Sequence, residues 1–205
     1  MTDKIDTIRD DLAFMKAMAS GDGRLLGVAG GHFFAAGVIY GLPLIAVWAT
    51  LRGYLDLPLG LTSWASIYST GVYLPVMGWL FLKDKGKVTP SAATRAFASL
   101  WGGVGATTIV MLIVIFTAGA RLHVHEMWQV WTAICFTIYG AAWLGIAIVR
   151  RSPGWALVAA GSYLTAIANS FLIGGPDVLL GCAIGILLWL ALPGLVMMRL
   201  SPRGA

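Results

Sequence analysis

The sequence predicts an all-α membrane protein, a bundle of six transmembrane helices with both termini on the cytoplasmic side. Three observations carry this prediction. The 205-residue chain is 59% hydrophobic and 11% charged, with a mean hydropathy of +0.83, which lies outside the range of a water-soluble domain. Its charges are segregated, leaving six charge-free runs of 21 to 27 residues. Its cations crowd into alternate connections between those runs.

The runs are Leu25 to Leu51, Leu57 to Leu82, Ala96 to Ala120, Met127 to Val149, Ser152 to Pro176 and Val178 to Met198. A hydrocarbon core of roughly 30 Å takes about 20 helical residues at 1.5 Å each, so every run is long enough to cross. None alternates apolar and polar residues as a barrel strand does, and a helix satisfies its own backbone in lipid. The chain therefore divides into a cytoplasmic preface and linker over 1–24, a membrane domain over 25–199 and a cytoplasmic tail over 200–205.

The preface carries Ile5, Ile8, Leu12 and Met15 at helical spacing, with Asp3, Asp6, Asp10 and Asp11 between them, and ends at Gly21 and Gly23. It reads as an amphipathic helix. From Thr2 to Ala19 it holds four acids against three bases, whereas helices that lie on anionic lipid carry an excess of Lys and Arg. Two roles stay open for its apolar stripe: folding back over the cytoplasmic ends of the bundle, or docking a cytoplasmic protein. No secretory signal is expected in this segment, which has no short apolar core or small-residue cleavage site.

Orientation follows from Lys and Arg. Lys4, Arg9, Lys16 and Arg24, then Lys83, Lys85, Lys87 and Arg95, then Arg150 and Arg151, and finally Arg199 and Arg203 fall on one side. Arg52 and Arg121 alone fall on the other, twelve against two. The sequence pI of about 9.5 thus reflects topology, and nucleic acid is not an expected partner. The Ala- and Gly-rich body and short loops suit a bacterial inner membrane.

Span ends carry helix-starting chemistry: Thr89 before Pro90, Ser152 before Pro153, and Pro176 before Asp177. Trp48, Trp64, Trp79, Trp128, Trp131 and Trp155 fall near span ends and read as interfacial anchors. Gly37 with Gly41 and Gly181 with Gly185 are small-xxx-small pairs, as are Gly102 with Ala106 and Ala141 with Gly145. They suit close helix packing within the chain, and the first two pairs are the faces through which a homo-oligomer would form. A weak internal repeat relates Ile39, Tyr40, Gly41 to Ile138, Tyr139, Gly140, and Tyr73, Leu74 to Tyr163, Leu164. Three spans per unit would set the halves in opposite orientation, a 3+3 inverted repeat.

The unusual polar residues are tyrosines. Tyr40, Tyr68, Tyr73, Tyr139 and Tyr163 lie near span centres, where each hydroxyl needs a partner because an unsatisfied polar group in hydrocarbon costs several kcal/mol. They serve either as interhelical hydrogen bonds or, with Asn169 and Ser170, as the wall of a pocket for a small neutral molecule or lipid. No Asp, Glu, Lys or Arg lies inside a span, which disfavours ion-coupled transport. Between the third and fourth spans, His123, His125 and Glu126 form a weak metal signal, with Asp56 and Asp177 on the same side. Solvated loop histidines and a helix-opening acid explain the same residues. Cys135 and Cys182 sit in apolar runs as small buried hydrophobes.

No metalloprotease, nucleophile-elbow or phosphate-loop motif is present, so neither enzymatic activity nor a cofactor is expected. The expected role is a non-enzymatic regulatory or tethering protein that engages a cytoplasmic partner through its N-terminal helix. The alternative is a binding protein or passive carrier for a small neutral molecule or lipid at the mid-membrane tyrosines.

Overall fold

In the computed structural model, the described residues are 23–58, 60–61, 65–85, 92–124 and 126–200. The preface residues Ile5, Ile8, Leu12 and Met15 lie outside them, as do Trp64, Thr89, Pro90 and His125. The described chain is all-helical, with no strand. Its helices are α1 (Gly23–Leu51), α2 (Ala65–Asp84), α3 (Ala92–Leu122), α4 (Met127–Arg150), α5 (Pro153–Ser170) and α6 (Asp177–Leu200).

Four of the six are long and apolar enough to cross a bilayer: Gly27–Leu51, Thr94–Leu122, Met127–Arg150 and Asp177–Leu200. These mark the chain as a membrane protein. The second and fifth helices are shorter and more polar than their charge-free runs. α2 opens on Ser66, Tyr68, Ser69 and Thr70, and α5 stops at Ser170. Turns occupy the remainder of the fifth run, where Gly174 takes φ +95, a left-handed conformation that glycine adopts without strain. The Gly174 N–H donates to Gln129 Oε1 at 2.6 Å, which fastens this turn to the start of α4.

Consecutive helices run up and down. α1 lies antiparallel to α6 over nearly its whole length, because glycines let the two backbones meet. A methyl added to Gly30 would fall 2.6 Å from the Gly194 carbonyl oxygen; one on Gly37 would fall 2.5 Å from Ala191 Cβ; one on Gly41 would fall 2.9 Å from Leu187. At the far end Trp48 reaches Asp177. The start of α1 and the end of α6 therefore share one end of the bundle. Gly181 abuts Asn169, and Gly185 abuts Phe136 and Thr165, so all four glycines of the two proposed oligomer faces are covered by helices of the same chain.

α4 and α5 form a tight hairpin. Arg151 adopts a left-handed conformation, φ 48, and its N–H returns to the Ala147 and Ile148 carbonyls, while Pro153 begins α5 with its φ already helical. Within α6, Pro193 has no N–H to give the carbonyl of Trp189. The helix passes through a π segment at Leu187–Ala191, and the indole N–H of Trp143 donates to that Trp189 carbonyl at 3.1 Å. Trp143 is fully buried. Around it pack Ala29, Ile146, Ala159 and Met197, with Phe33 and Trp101 at ring-centroid distances of 5.4 and 5.0 Å. Trp155 is not simply an interfacial anchor: its ring stacks on Trp143 at 5.1 Å and 7°, because the tight hairpin turns it inward.

The segments compared in the sequence make different contacts, since Gly41 faces Leu187 of α6. Tyr40 of α1 touches Tyr73 of α2, ring centroids 5.3 Å apart, and Gly140 of α4 lies against the ring of Tyr163 of α5.

Candidate functional site

Of the five mid-span tyrosines, Tyr40 and Tyr73 meet each other, and Tyr68 lines a crevice between α1 and α2. The Tyr40 hydroxyl is hydrogen-bonded to Thr70 Oγ1 at 3.1 Å, beside Tyr73. Tyr139 lies 6.4 Å from Trp101 between ring centroids. Cys135 and Cys182 are buried free thiols. Tyr163 packs flat against Gly140, where a methyl would fall 2.9 Å from the ring, and so acts as helix packing. Tyr68 stands apart, 53% exposed on the outer surface of α2.

Asn169 is 1% exposed and neither atom of its side-chain amide has a hydrogen-bond partner among the described residues. It presses on Gly181 at the end of the bundle away from the chain's ends, far along α5 from Tyr163. Ser170 donates to the Ile167 carbonyl at 2.6 Å and is already satisfied.

A crevice of about 400 Å³ opens between α1 and α2. Val38, Ile39, Leu42, Pro43, Ala46 and Val47 supply one wall; the other comes from Leu57, Leu61 and the start of α2. Among the described lining residues, only Tyr68 and Ser69 carry side-chain oxygens. Pro43 sits inside α1 and cannot donate to the Ile39 carbonyl one turn back, so the helix loses a backbone bond where the crevice lies. Ser69 is only 4% exposed. Its hydroxyl makes no hydrogen bond within the described residues, unlike Thr50, Thr108, Thr137 and Ser162, each of which donates to the carbonyl four residues earlier. Neither Pro43 nor Ser69 stands out in the sequence. A proline inside a charge-free run facing a second run rich in hydroxyls is the signal that points to them.

At the end away from the chain's ends, Arg52 and Asp177 form an ion pair, with Arg52 Nε donating to Asp177 Oδ1 at 3.1 Å and Trp48 Nε1 donating to the same oxygen at 3.0 Å. Hydrogen bonding to Asp177, reinforced by its charge, raises the Arg52 guanidinium above its ordinary value, so it is cationic at any physiological pH. Asp177 is thereby committed to Arg52. His123 is exposed in a left-handed conformation, φ 55, and Glu126 is exposed at the start of α4 without a side-chain cap bond. Among the described residues no three metal-ligating side chains gather.

Comparison with protein-family models, with curated proteins and with solved structures finds no match to this chain. The functional reading therefore rests on the residues and their geometry.

Proposed function

We propose that this chain is a non-enzymatic, multi-pass protein of a bacterial inner membrane that binds a small neutral molecule or lipid between α1 and α2. The carrying observation is the apolar crevice of about 400 Å³, lined by the buried residue Ser69, whose hydroxyl makes no hydrogen bond within the described residues. Its volume falls within the roughly 300–1,000 Å³ of small-molecule sites, and its walls have the mostly apolar lining with few polar groups that such sites share. Of the mid-span tyrosines the site includes Tyr68, and the Tyr40–Tyr73 pair belongs to the same two helices. All six helices cross the membrane in this reading, with Ser69 of α2 and Ser162 and Asn169 of α5 buried. Both termini are cytoplasmic, as the twelve-to-two cation count favours.

Filling the crevice tests the binding reading. Ala46→Phe should abolish co-purification of lipid detected by mass spectrometry of the detergent-solubilised protein; an unchanged lipid profile would count against the crevice as a site. Threading is tested by cysteine labelling in intact cells. Positions 85 and 121 should react from opposite compartments, and reaction from the same compartment would reject the six-span arrangement.

The acidic preface favours a second reading, in which Ile5, Ile8, Leu12 and Met15 dock a cytoplasmic protein and the membrane domain tethers it. Deleting residues 1–19 should then remove a specific co-purifying protein. An unchanged interaction profile would reject the tether.

A further inference from the structure

Resting on that reading, we infer that the occupant of the α1–α2 crevice is a neutral lipid alcohol: one long hydrocarbon chain bearing a single uncharged hydroxyl. The walls ask for hydrocarbon, since Val38, Leu42, Val47, Leu57, Leu61 and Val72 leave almost no polar surface. In a bilayer any such groove takes up lipid tails, so selectivity must come from the polar atoms. Ser69, a buried residue lining the crevice, carries a hydroxyl with no partner among the described residues, and in hydrocarbon such a group costs free energy until something bonds to it. On the opposite wall Pro43 deprives the Ile39 carbonyl of its ordinary helical donor, leaving an acceptor on the same stretch of α1. A ligand hydroxyl answers both needs, because it accepts from Ser69 and donates to a carbonyl.

Charge argues against an anionic lipid. The connection after α1 contains Arg52 and Asp56, and leads directly into the crevice wall at Leu57. Arg52 is already held by Asp177, while Asp56 is exposed and carries the same sign as a carboxylate or phosphate headgroup. With the connection's cation engaged and its one acid, Asp56, exposed, a fatty acid anion would meet repulsion without compensation. The volume also suits one chain better than the two of a phospholipid.

The test uses the full chain in phosphatidylcholine nanodiscs, irradiated with a diazirine-bearing hexadecanol or with the matching diazirine-bearing palmitate, and adducts mapped by peptide mass spectrometry. The alcohol should label residues within 38–47 and 65–72, with labelling suppressed by excess unlabelled hexadecanol. Palmitate, held as its anion at alkaline pH, should label those segments at least about three-fold less. Ser69→Ala should cut alcohol labelling by about three- to ten-fold, the effect of one hydrogen bond, while leaving thermal stability unchanged. Equal labelling by palmitate, or full alcohol labelling of Ser69→Ala, would overturn the lipid-alcohol assignment and leave the crevice reading standing. Absence of both probes from the crevice, or no effect of Ala46→Phe, would overturn the crevice reading itself.

Discussion

Replacing Gly37 by alanine is a direct probe of the α1–α6 contact that organises the bundle. The new methyl would lie 2.5 Å from Ala191 Cβ, 2.6 Å from its backbone nitrogen and 2.7 Å from its Cα. Favourable carbon contacts begin near 3.5 Å, so the helices must part by about 1 Å at this level. Two of the three obstructing atoms belong to the backbone, and no rotamer change relieves them. Overpacking of this kind costs about 3 kcal/mol at the upper end of its usual range. Replacing glycine within a helix returns about 1 kcal/mol of intrinsic propensity. The net loss is about 2 kcal/mol, which for a chain of this size lowers the melting temperature by about 4–8 °C. Gly102→Ala is the control, since nothing lies within 4 Å of its added methyl. There the propensity gain stands alone, and the melting temperature should hold or rise by a few degrees. Intrinsic fluorescence from the chain's 9 tryptophans follows both transitions in detergent. Ala191→Gly placed on Gly37→Ala should restore only part of the loss, because it removes one contact of the three. If Gly37→Ala melted at or above the temperature of Gly102→Ala, the close α1–α6 packing would be refuted.

Further outcomes follow from the same contacts. Trp143→Phe removes the donor that satisfies the Trp189 carbonyl and should destabilise by about 1–3 kcal/mol, read as a fall in melting temperature; Trp155→Phe, which keeps the stack and touches no such carbonyl, should cost less. Asp177→Asn should weaken the link from the α1 connection to α6 only modestly, because the pair is partly exposed, and the difference from wild type should shrink further in high salt. Gly174→Ala forces a Cβ into a left-handed turn and should cost about 1–2 kcal/mol; an unchanged melting temperature would show that the turn relaxes without strain.

The positions of the six helices were legible in the charge-free runs, because excluding charge from hydrocarbon is a one-dimensional property of the chain. Glycine spacing announced close approach at Gly37, Gly41, Gly181 and Gly185, but not at Gly102 or Gly145, where an added methyl meets nothing within 4 Å. Which partner each glycine meets was not legible, and here the structure decides. Gly37 and Gly41 face α6, and Gly181 and Gly185 face α5 and α4, whereas Gly102, Gly103 and Gly105 face nothing within 4 Å. The tyrosines shared a depth in the sequence but not a neighbourhood in the fold. Depth follows from distance along a helix, while facing depends on the rotation of each helix about its axis, which only packing sets. Tyr40 and Tyr73 therefore meet while Tyr68 turns outward.

The sequence by itself determined that this is a helical membrane chain and where its helices lie, since hydropathy and charge act on each segment independently of the rest. Tertiary structure alone decided that Asp177 belongs to Arg52, that Trp143 serves the carbonyl freed by Pro193, and that Ser69 is left unpaired opposite Pro43. Each of these links residues that are distant in sequence, and a hydrogen bond or cavity exists only once both walls are in place.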